Sequence, residues 1–285
     1  MRRSTIAVVT AASAVGVSAA VVGARAGLTR QAAIARRRIG KPHGELAPDA
    51  DRIWRRGLEG EPLELLVLGD SLAAGLGAGR RKDTLGARLA KGLAHSLHGP
   101  VRLRTAAVVG SESSALAAQL DGLPKKYRPD LAIIVVGGND VTHRVPVSES
   151  VRHLSEAIER LHSLGAVVVV GTCPDLGALR AVPQPLRTLV SRWSRQLAKA
   201  QTTAALDAGA HPVSLRRAVG RVFTTQPDEM FSLDRFHPSA LGYRRTADAL
   251  VPVAVEALGA AAAAAAPAPP APRASVSSEI CASAD

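Results

Sequence analysis

The chain of 285 residues contains very few aromatic residues and only two cysteines. Because aromatic side chains make up 2% of the sequence, any hydrophobic core must be built mainly from alanine, valine and leucine. Cys173 and Cys281 are too few for a disulfide framework or a cysteine-based zinc site. A hydrophobic fraction of 47% excludes a disordered chain, and 21% charged residues exclude a membrane protein of many spans. The length suits one medium domain with extensions, or at most two small domains.

The formal net charge is +12, and most of this excess lies near the start of the chain. The stretch Met1–Gly57 has eleven Lys/Arg and three Asp/Glu, a balance of +8, which leaves +4 for the remainder. A protein that binds nucleic acid more often carries its basic residues on the folded domain, interleaved with stacking aromatics. Here the basic residues flank an apolar stretch, which favours a membrane surface as partner and argues against nucleic acid.

That apolar stretch, Thr5–Ala24, has no charged residue and is long enough to cross a bilayer as a helix. It is interpretable as a retained anchor, as a secretory signal cleaved near Ala24–Ala26, or as a twin-arginine export signal that begins with Arg2–Arg3. The heavier basic cluster of residues 25–38 argues against export, because positive charge is retained on the cytoplasmic side. All three interpretations bring this segment to a membrane, so we expect residues 1–26 to be a membrane anchor or an export signal.

Short apolar runs alternate with helical patterns through the middle of the chain. This alternation predicts a parallel sheet with helices on both faces. The predicted domain is 61–258, preceded by a basic linker, 27–60, and followed by an Ala/Pro-rich tail, 259–285. The predicted strands are Leu65–Leu68, Val101–Thr105, Leu131–Val136, Ala166–Val170 and Pro212–Ser214, and the main helices are Thr84–Leu97, Ser148–Leu164, Pro185–Ala208 and Ser239–Leu258.

Polar residues are concentrated in four loops, three of which follow predicted strands. These loops are Gly69–Gly75, Gly110–Ser113, Gly137–Asp140 and Asp234–His237. In such sheets, ligands bind at the carboxyl ends of the strands. Each loop alone has a simpler explanation, such as a helix cap or a turn.

Together the four loops supply the parts of one reaction. Ser71 is a candidate nucleophile, His237 is a base that could take its proton, and Asp234 lies three residues away, where it could orient the imidazole. The developing oxyanion needs fixed donors, for which the Ser71 N–H, an N–H near Gly110 and the Asn139 amide are candidates. The pattern predicts acyl transfer through a serine nucleophile.

Motifs for nucleotide cofactors are incomplete. The run Gly75–Gly79 resembles a dinucleotide loop, but Arg80 stands in place of the final glycine and no acidic residue ends the next strand. No phosphate-binding loop of the form G-x-x-x-x-G-K-[ST] occurs. We expect no cofactor and no metal.

The three polar blocks Gly69–Ser71, Gly137–Asp140 and Asp234–His237 resemble those of the SGNH, or GDSL-type, hydrolases in sequence order and spacing, over about 65–258. The resemblance implies an α/β fold, a three-layer α/β/α sandwich with a five-stranded parallel sheet. It implies a serine esterase or lipase that forms an acyl-enzyme, with a small-molecule or lipid ester as substrate. An O-acetyl esterase of a cell-envelope carbohydrate and a non-catalytic binding module on the same fold are the alternatives.

The same resemblance assigns roles to individual residues. Ser71 would be the nucleophile, His237 the base and Asp234 the residue that orients it, while the oxyanion donors would be Ser71, Gly110 and Asn139. The second block departs from the family pattern, so that Ser111 could replace Gly110. Because the family is often secreted or bound to the envelope, we expect an exported or membrane-anchored protein of the cell envelope. The alternative is the cytoplasmic face of the membrane.

Overall fold

The apolar runs of the sequence form the strands of one sheet in the computed structural model, which describes residues 22–265. The strands are β1 Ile53–Trp54, β2 Leu63–Gly69, β3 Val101–Thr105, β4 Leu131–Val135, β5 Val167–Gly171 and β6 His211–Val213. Their order in the sheet is β1-β3-β2-β4-β5-β6; β1 is antiparallel to β3 and the other five strands are parallel. The predicted α/β fold is thereby confirmed. The sixth strand, β1, was not predicted, because two residues at a sheet edge show no recognisable periodicity.

The carboxyl ends of three strands lie level with one another. Gly69 at the end of β2 pairs with Val135 of β4, and Val135 pairs with Gly171 of β5. The chain runs from β2 to β3 on one side and then crosses to β4 on the other side of β2. Ligands of doubly wound sheets bind at this kind of reversal. The loops that follow β2 and β4 therefore meet at the edge where a site is expected.

Alternate residues of β2 enter two different hydrophobic clusters. Leu65 and Val67 pack on one face with two helices, α3 (Leu85–Ser96) and α11 (Ala240–Ala265). Leu66 and Leu68 pack on the other face with α4 (Leu116–Asp121) and α6 (Val147–Ser163). All four side chains are fully buried, as a continuous apolar strand requires when both faces are covered. The helices are α1 (22–39), α2 Ser71–Ala74, α3 Leu85–Ser96, α4 Leu116–Asp121, α5 Gly138–His143, α6 Val147–Ser163, α7 Leu186–Asp207, α8 Leu215–Ala218, α9 Gly220–Thr225, α10 Pro227–Met230 and α11 Ala240–Ala265.

The last helix, α11, is longer than the predicted Ser239–Leu258. It continues to Ala265 because the added residues are almost all alanine, which has the highest helix propensity. Among residues 22–265, α11 is the one helix whose length and composition would allow it to cross a membrane. Its buried residues include Tyr243 and Leu250, which pack in the core of the domain.

Residues 27–60, predicted as a linker, contain regular structure. Leu28, Ala32 and Ala35 of α1 belong to a hydrophobic cluster that includes Leu186 and other residues of α7. Further along, β1 extends the sheet at its edge beside β3. Of the predicted anchor or signal, 1–26, the part up to residue 21 lies outside the described residues, as does most of the predicted tail. The boundaries of the domain thus stay predictions, but the described fold begins before residue 61.

Candidate active site

A sharp turn between β2 and α2 presents Ser71. Gly69 ends β2 with φ of 132°, and a Cβ atom at this position would lie 1.8 Å from the carbonyl oxygen of Val135. Only glycine fits there. Asp70 caps α2, since its Oδ1 accepts a hydrogen bond from the Leu72 N–H at 3.0 Å. Ser71 is therefore the first residue of the helix, where backbone N–H groups have no partner within the helix.

His237 lies in a loop folded on itself between Phe231 and Pro238. The Ser232 N–H donates to the carbonyl of His237 at 2.8 Å. Oδ1 of Asp234 accepts hydrogen bonds from the backbone N–H groups of Phe236 and His237, both at 2.9 Å. The same carboxylate that faces the imidazole therefore also fixes the backbone that carries it.

The structure brings Ser71, His237 and Asp234 into one hydrogen-bonded chain. His237 Nε2 lies 2.9 Å from Ser71 Oγ, and His237 Nδ1 lies 2.6 Å from Asp234 Oδ2. A carboxylate can only accept, so Nδ1 carries the proton and Nε2 of the neutral ring is left to accept from the serine hydroxyl. This is the arrangement in which a histidine can remove the serine proton.

Asp234 is ionised in this environment. Its burial alone would raise the pKa, but the hydrogen bonds from His237 and Phe236, together with the electrostatic interaction with His237, lower the pKa of Asp234 to about 2. The carboxylate therefore carries its negative charge at neutral pH beside His237. It can stabilise the imidazolium that forms when the ring accepts a proton.

Two of the three candidate oxyanion donors begin the helices that follow β2 and β4. In the described part of the chain, the Ser71 N–H donates to no protein acceptor, as expected at the start of a helix. Asn139 is the second residue of α5, and its Nδ2 donates to the Ser111 carbonyl at 2.9 Å. This bond fixes the amide but uses only one of its two N–H groups.

The second loop distinguishes Gly110 from Ser111. The Ser111 N–H donates to the Val108 carbonyl at 3.2 Å, and Gly110 between them has φ of 84°. A turn with positive φ at its third residue favours glycine there, and it engages the N–H of the fourth residue. The Ser111 N–H is thus occupied, whereas the Gly110 N–H has no protein acceptor among the described residues. Gly110 is exposed and lies outside the pocket beside Ser71.

Two further aspartates, Asp70 and Asp140, connect the loops around the site. Oδ2 of Asp70 accepts from the Gly138 N–H at 3.3 Å, which joins the loops after β2 and β4. Asp140 accepts from the Ser113 N–H and, at 2.7 Å, from Ser150 Oγ, which joins the second loop to α6. Burial raises the pKa of Asp70 to about 6, against the opposing effect of its backbone hydrogen bonds.

Two buried glutamines, which the sequence analysis did not single out, hold the strand ends. Gln119 of α4 bonds both the N–H and the carbonyl of Gly69, at 2.9 and 2.8 Å. Gln201 of α7 accepts from the Cys173 N–H and donates to the Val136 carbonyl. Such buried amides satisfy backbone groups that the sheet leaves unpaired. A glutamine within an amphipathic helix gives no sequence signal for this role.

An apolar pocket opens beside Ser71 and His237. Its cavity volume is about 80 Å³. The walls come from α2, from the loop after β5, from α8 and α9, and from the loop that carries His237. They include Leu72, Leu176, Leu179, Leu215, Val219, Phe223, Phe231 and Phe236. A hydrocarbon group bound there would lie next to the serine hydroxyl.

Comparisons with known proteins agree with this geometry. A family model described as GDSL-like lipase/acylhydrolase matches residues 67–245. The chain is 40% identical over 269 residues to a GDSL-like esterase of Mycobacterium tuberculosis, and the match covers 90% of this chain and 85% of the relative.

Solved structures share the fold at lower identity. The lipase Lip_vut3 from a goat rumen metagenome superimposes with a TM-score of 0.56 at 19% identity, covering 67% of this chain and 97% of that one. A variant of Axe2, an acetyl xylan esterase from Geobacillus stearothermophilus, gives a TM-score of 0.54 at 21% identity, with 70% of this chain and 96% of that one covered.

The fold, the site and the comparisons define a carboxylic ester hydrolase. The chain belongs to the GDSL-like lipase/acylhydrolase family, the SGNH hydrolases. The resemblance noted in the sequence is thereby confirmed.

The glycine run that resembled a dinucleotide loop has a steric role. Gly77 has φ of 97°, and a Cβ atom there would lie 2.8 Å from Cβ of His237 and 3.0 Å from Ser232 Oγ. Gly79 has no positive φ and no heavy atom within 4 Å of its Cβ position. The absence of a side chain at position 77 thus lets the loop that carries His237 pack against the turn after α2.

We expect Gly77→Ala to lower kcat for ester hydrolysis at least about tenfold, because the added methyl group displaces His237 from Ser71. Gly79→Ala is the matched control and should keep both the activity and the melting temperature of the wild type. Steady-state kinetics and thermal unfolding of the two variants test this expectation. Equal activity of the two variants would contradict it.

Proposed function

We propose that this protein hydrolyses carboxylic esters through an acyl-enzyme on Ser71. The observation that carries the proposal is the hydrogen-bonded chain from Ser71 through His237 to Asp234 at the mouth of an apolar pocket. Ser71 Oγ attacks the ester carbonyl while His237 Nε2 takes its proton. Collapse of the tetrahedral intermediate expels the alcohol, which receives that proton from His237. Water, activated by the same base, then releases the acid and frees Ser71.

The oxyanion of each tetrahedral intermediate would accept hydrogen bonds from the Ser71 N–H and the Asn139 amide. The unbonded N–H of Gly110 is the third candidate, and the occupied N–H of Ser111 makes Gly110 the better choice of the two. Asp234, ionised and fixed by the backbone of its own loop, would orient His237 and stabilise its charged form.

Individual replacement of Ser71 or His237 by alanine should remove nearly all ester hydrolysis. The double variant should be little worse than either, because the residues act as one unit. Asp234→Ala should retain more activity, since Asp234 only orients and stabilises the imidazole. Hydrolysis of p-nitrophenyl butyrate measures all four variants. A folded Ser71→Ala that keeps more than about a tenth of the activity would exclude Ser71 as the nucleophile.

Asn139→Ala should lower kcat about 10²- to 10³-fold, with a much smaller change in KM, if the amide donates to the oxyanion. Asn139→Asp should be at least as damaging, because it places a charge where negative charge develops. A role limited to holding the Ser111 carbonyl would instead lower the melting temperature and leave kcat near that of the wild type. Kinetics and thermal unfolding on the same preparations separate the two roles.

The pocket supports a short acyl group as the preferred substrate. A cavity of about 80 Å³ has room for roughly six water-sized groups, at about 10–15 Å³ each. This space suits acyl chains of about two to six carbons. It also suits the acetyl group of an acetylated carbohydrate, which is the alternative substrate class. One solved structure of similar fold is named an acetyl xylan esterase.

We expect kcat/KM for p-nitrophenyl esters to be highest at acetyl to hexanoyl and at least about tenfold lower at dodecanoyl, because the longer chain does not fit. An acyl-length series measures this, and a maximum at dodecanoyl would contradict a short-acyl pocket. Release of acetate from an acetylated oligosaccharide at a rate above that of the short p-nitrophenyl esters would favour the carbohydrate deacetylase. No burst and no turnover on any ester would favour a binding module.

We propose that the enzyme acts at the cell envelope, held or directed there by residues 1–26. The uncharged stretch Thr5–Ala24 and the exposed arginines that follow it, Arg36 and Arg37 among them, support a segment that meets a membrane. The cytoplasmic face of the membrane is the alternative. The main hydrophobic contacts of α1 begin at Leu28, so that removal of the first 26 residues spares them.

The full-length chain should sediment with membranes or envelope, whereas the chain from Gly27 to Asp285 should remain soluble and keep its esterase activity, because the candidate catalytic residues begin at Ser71. Protease added to intact cells tests the side of the membrane, with lysed cells as the control. Degradation in intact cells is the expected result. Protection in intact cells followed by degradation after lysis would place the domain in the cytoplasm.

A further inference from the structure

The segment that precedes the predicted domain reaches the catalytic loop. Helix α1 packs on α7, and Gln31 accepts a hydrogen bond from the Leu186 N–H at 2.9 Å. After α1 the chain turns, and half-buried His43 places its Nε2 atom 3.0 Å from Ser232 Oγ. Ser232 lies in the same loop as Asp234 and His237. A residue far from the three polar blocks thus contacts the loop that carries the base.

The direction of each hydrogen bond follows from its partners. Ser232 Oγ lies 2.9 Å from Asp234 Oδ1, and a carboxylate only accepts, so the serine hydroxyl donates its single proton to Asp234. Ser232 Oγ must then accept from His43, whose Nε2 carries the proton. The result is one continuous chain from His43 through Ser232, Asp234 and His237 to Ser71.

The Asp234 carboxylate accepts hydrogen bonds at both of its oxygens. Oδ1 accepts from the Ser232 hydroxyl and from two backbone N–H groups, while Oδ2 faces His237 alone. The backbone donors belong to the histidine loop itself. Among the described residues, the Ser232 hydroxyl is the one donor to Oδ1 that is in turn fixed by a different segment of the chain, through His43. Chains of hydrogen bonds of this kind polarise and orient one another.

We propose that His43 and Ser232 are positioning residues that set the orientation of the Asp234 carboxylate and, through it, of the His237 imidazole. This inference rests on the proposed role of Asp234. The turn after α1 that carries His43 then helps to position the base and is not a spacer. A shift of α1 would move His43 in the turn that follows it. Three hydrogen bonds connect His43 to His237, through Ser232 and Asp234.

The test is a set of variants in the full-length chain. His43→Ala should lower kcat for p-nitrophenyl butyrate about five- to tenfold with less than about a twofold change in KM, because His43 does not line the pocket beside Ser71. His43→Gln should keep at least half of the wild-type kcat, since its amide nitrogen can donate from a similar distance. Lys41→Ala, in the same loop and exposed, is the matched control and should behave as the wild type.

A double-mutant cycle separates positioning from a general structural role. In the Asp234→Ala background, His43→Ala should change kcat less than about 1.5-fold, because the residue through which it acts is gone. A fall of equal size in both backgrounds, or a lower melting temperature with unchanged kcat, would overturn the inference. If His43→Ala does not fold, Ser232→Ala in the same two backgrounds gives the same comparison.

Failure of this inference is distinguishable from failure of the proposed function. An inactive Ser71→Ala together with a fully active His43→Ala overturns only the role of His43. An active, folded Ser71→Ala overturns the catalytic assignment on which both depend.

Discussion

The contact between Gly69 and the carbonyl of Val135 is the constraint on which the site depends. Because Gly69 has no side chain, the chain stays close to β4 after β2 ends. The Asp70 N–H therefore still donates to the Val135 carbonyl, at 3.1 Å. Ser71 therefore stands on a turn fixed to the neighbouring strand, and Gly138 lies within reach of Asp70. Gln119 locks Gly69 from the other side. A side chain at position 69 would separate the two strand ends and, with them, Asp70 from Gly138.

Two aspartates of the site show how hydrogen bonding decides the charge of a carboxylate. Asp70 and Asp234 are both buried. Asp70 receives two backbone hydrogen bonds, which do not outweigh its desolvation, and its pKa rises to about 6. Asp234 receives bonds from two backbone groups, a hydroxyl and an imidazole, and its pKa falls to about 2. Asp234 therefore stays ionised beside His237 over the whole neutral pH range.

Much of the fold and of the candidate site could be predicted from the sequence, because its signals are local. Continuous apolar runs such as Leu131–Val135 indicate buried strands, and the blocks around Ser71, Asn139 and His237 indicate the loops that meet. Contacts between segments that are far apart in the sequence leave no local pattern from which they could be predicted. His43 lies 189 positions from Ser232, and β1 is only two residues long. Gln119 and Gln201 looked like ordinary helix residues, and their function became visible only when the strand ends they hold were known.

The proposed role of Ser71 as an activated nucleophile is tested most directly by mass spectrometry of the protein after reaction with a p-nitrophenyl phosphonate ester, which traps such a serine. We expect one phosphonyl adduct per chain, located on the peptide that contains Ser71, with loss of ester hydrolysis in proportion to labelling. His237→Ala should label far more slowly, because the base that activates Ser71 is missing. Complete loss of activity with Ser71 unmodified, or with the adduct on another residue, would contradict the assignment of Ser71 as the nucleophile.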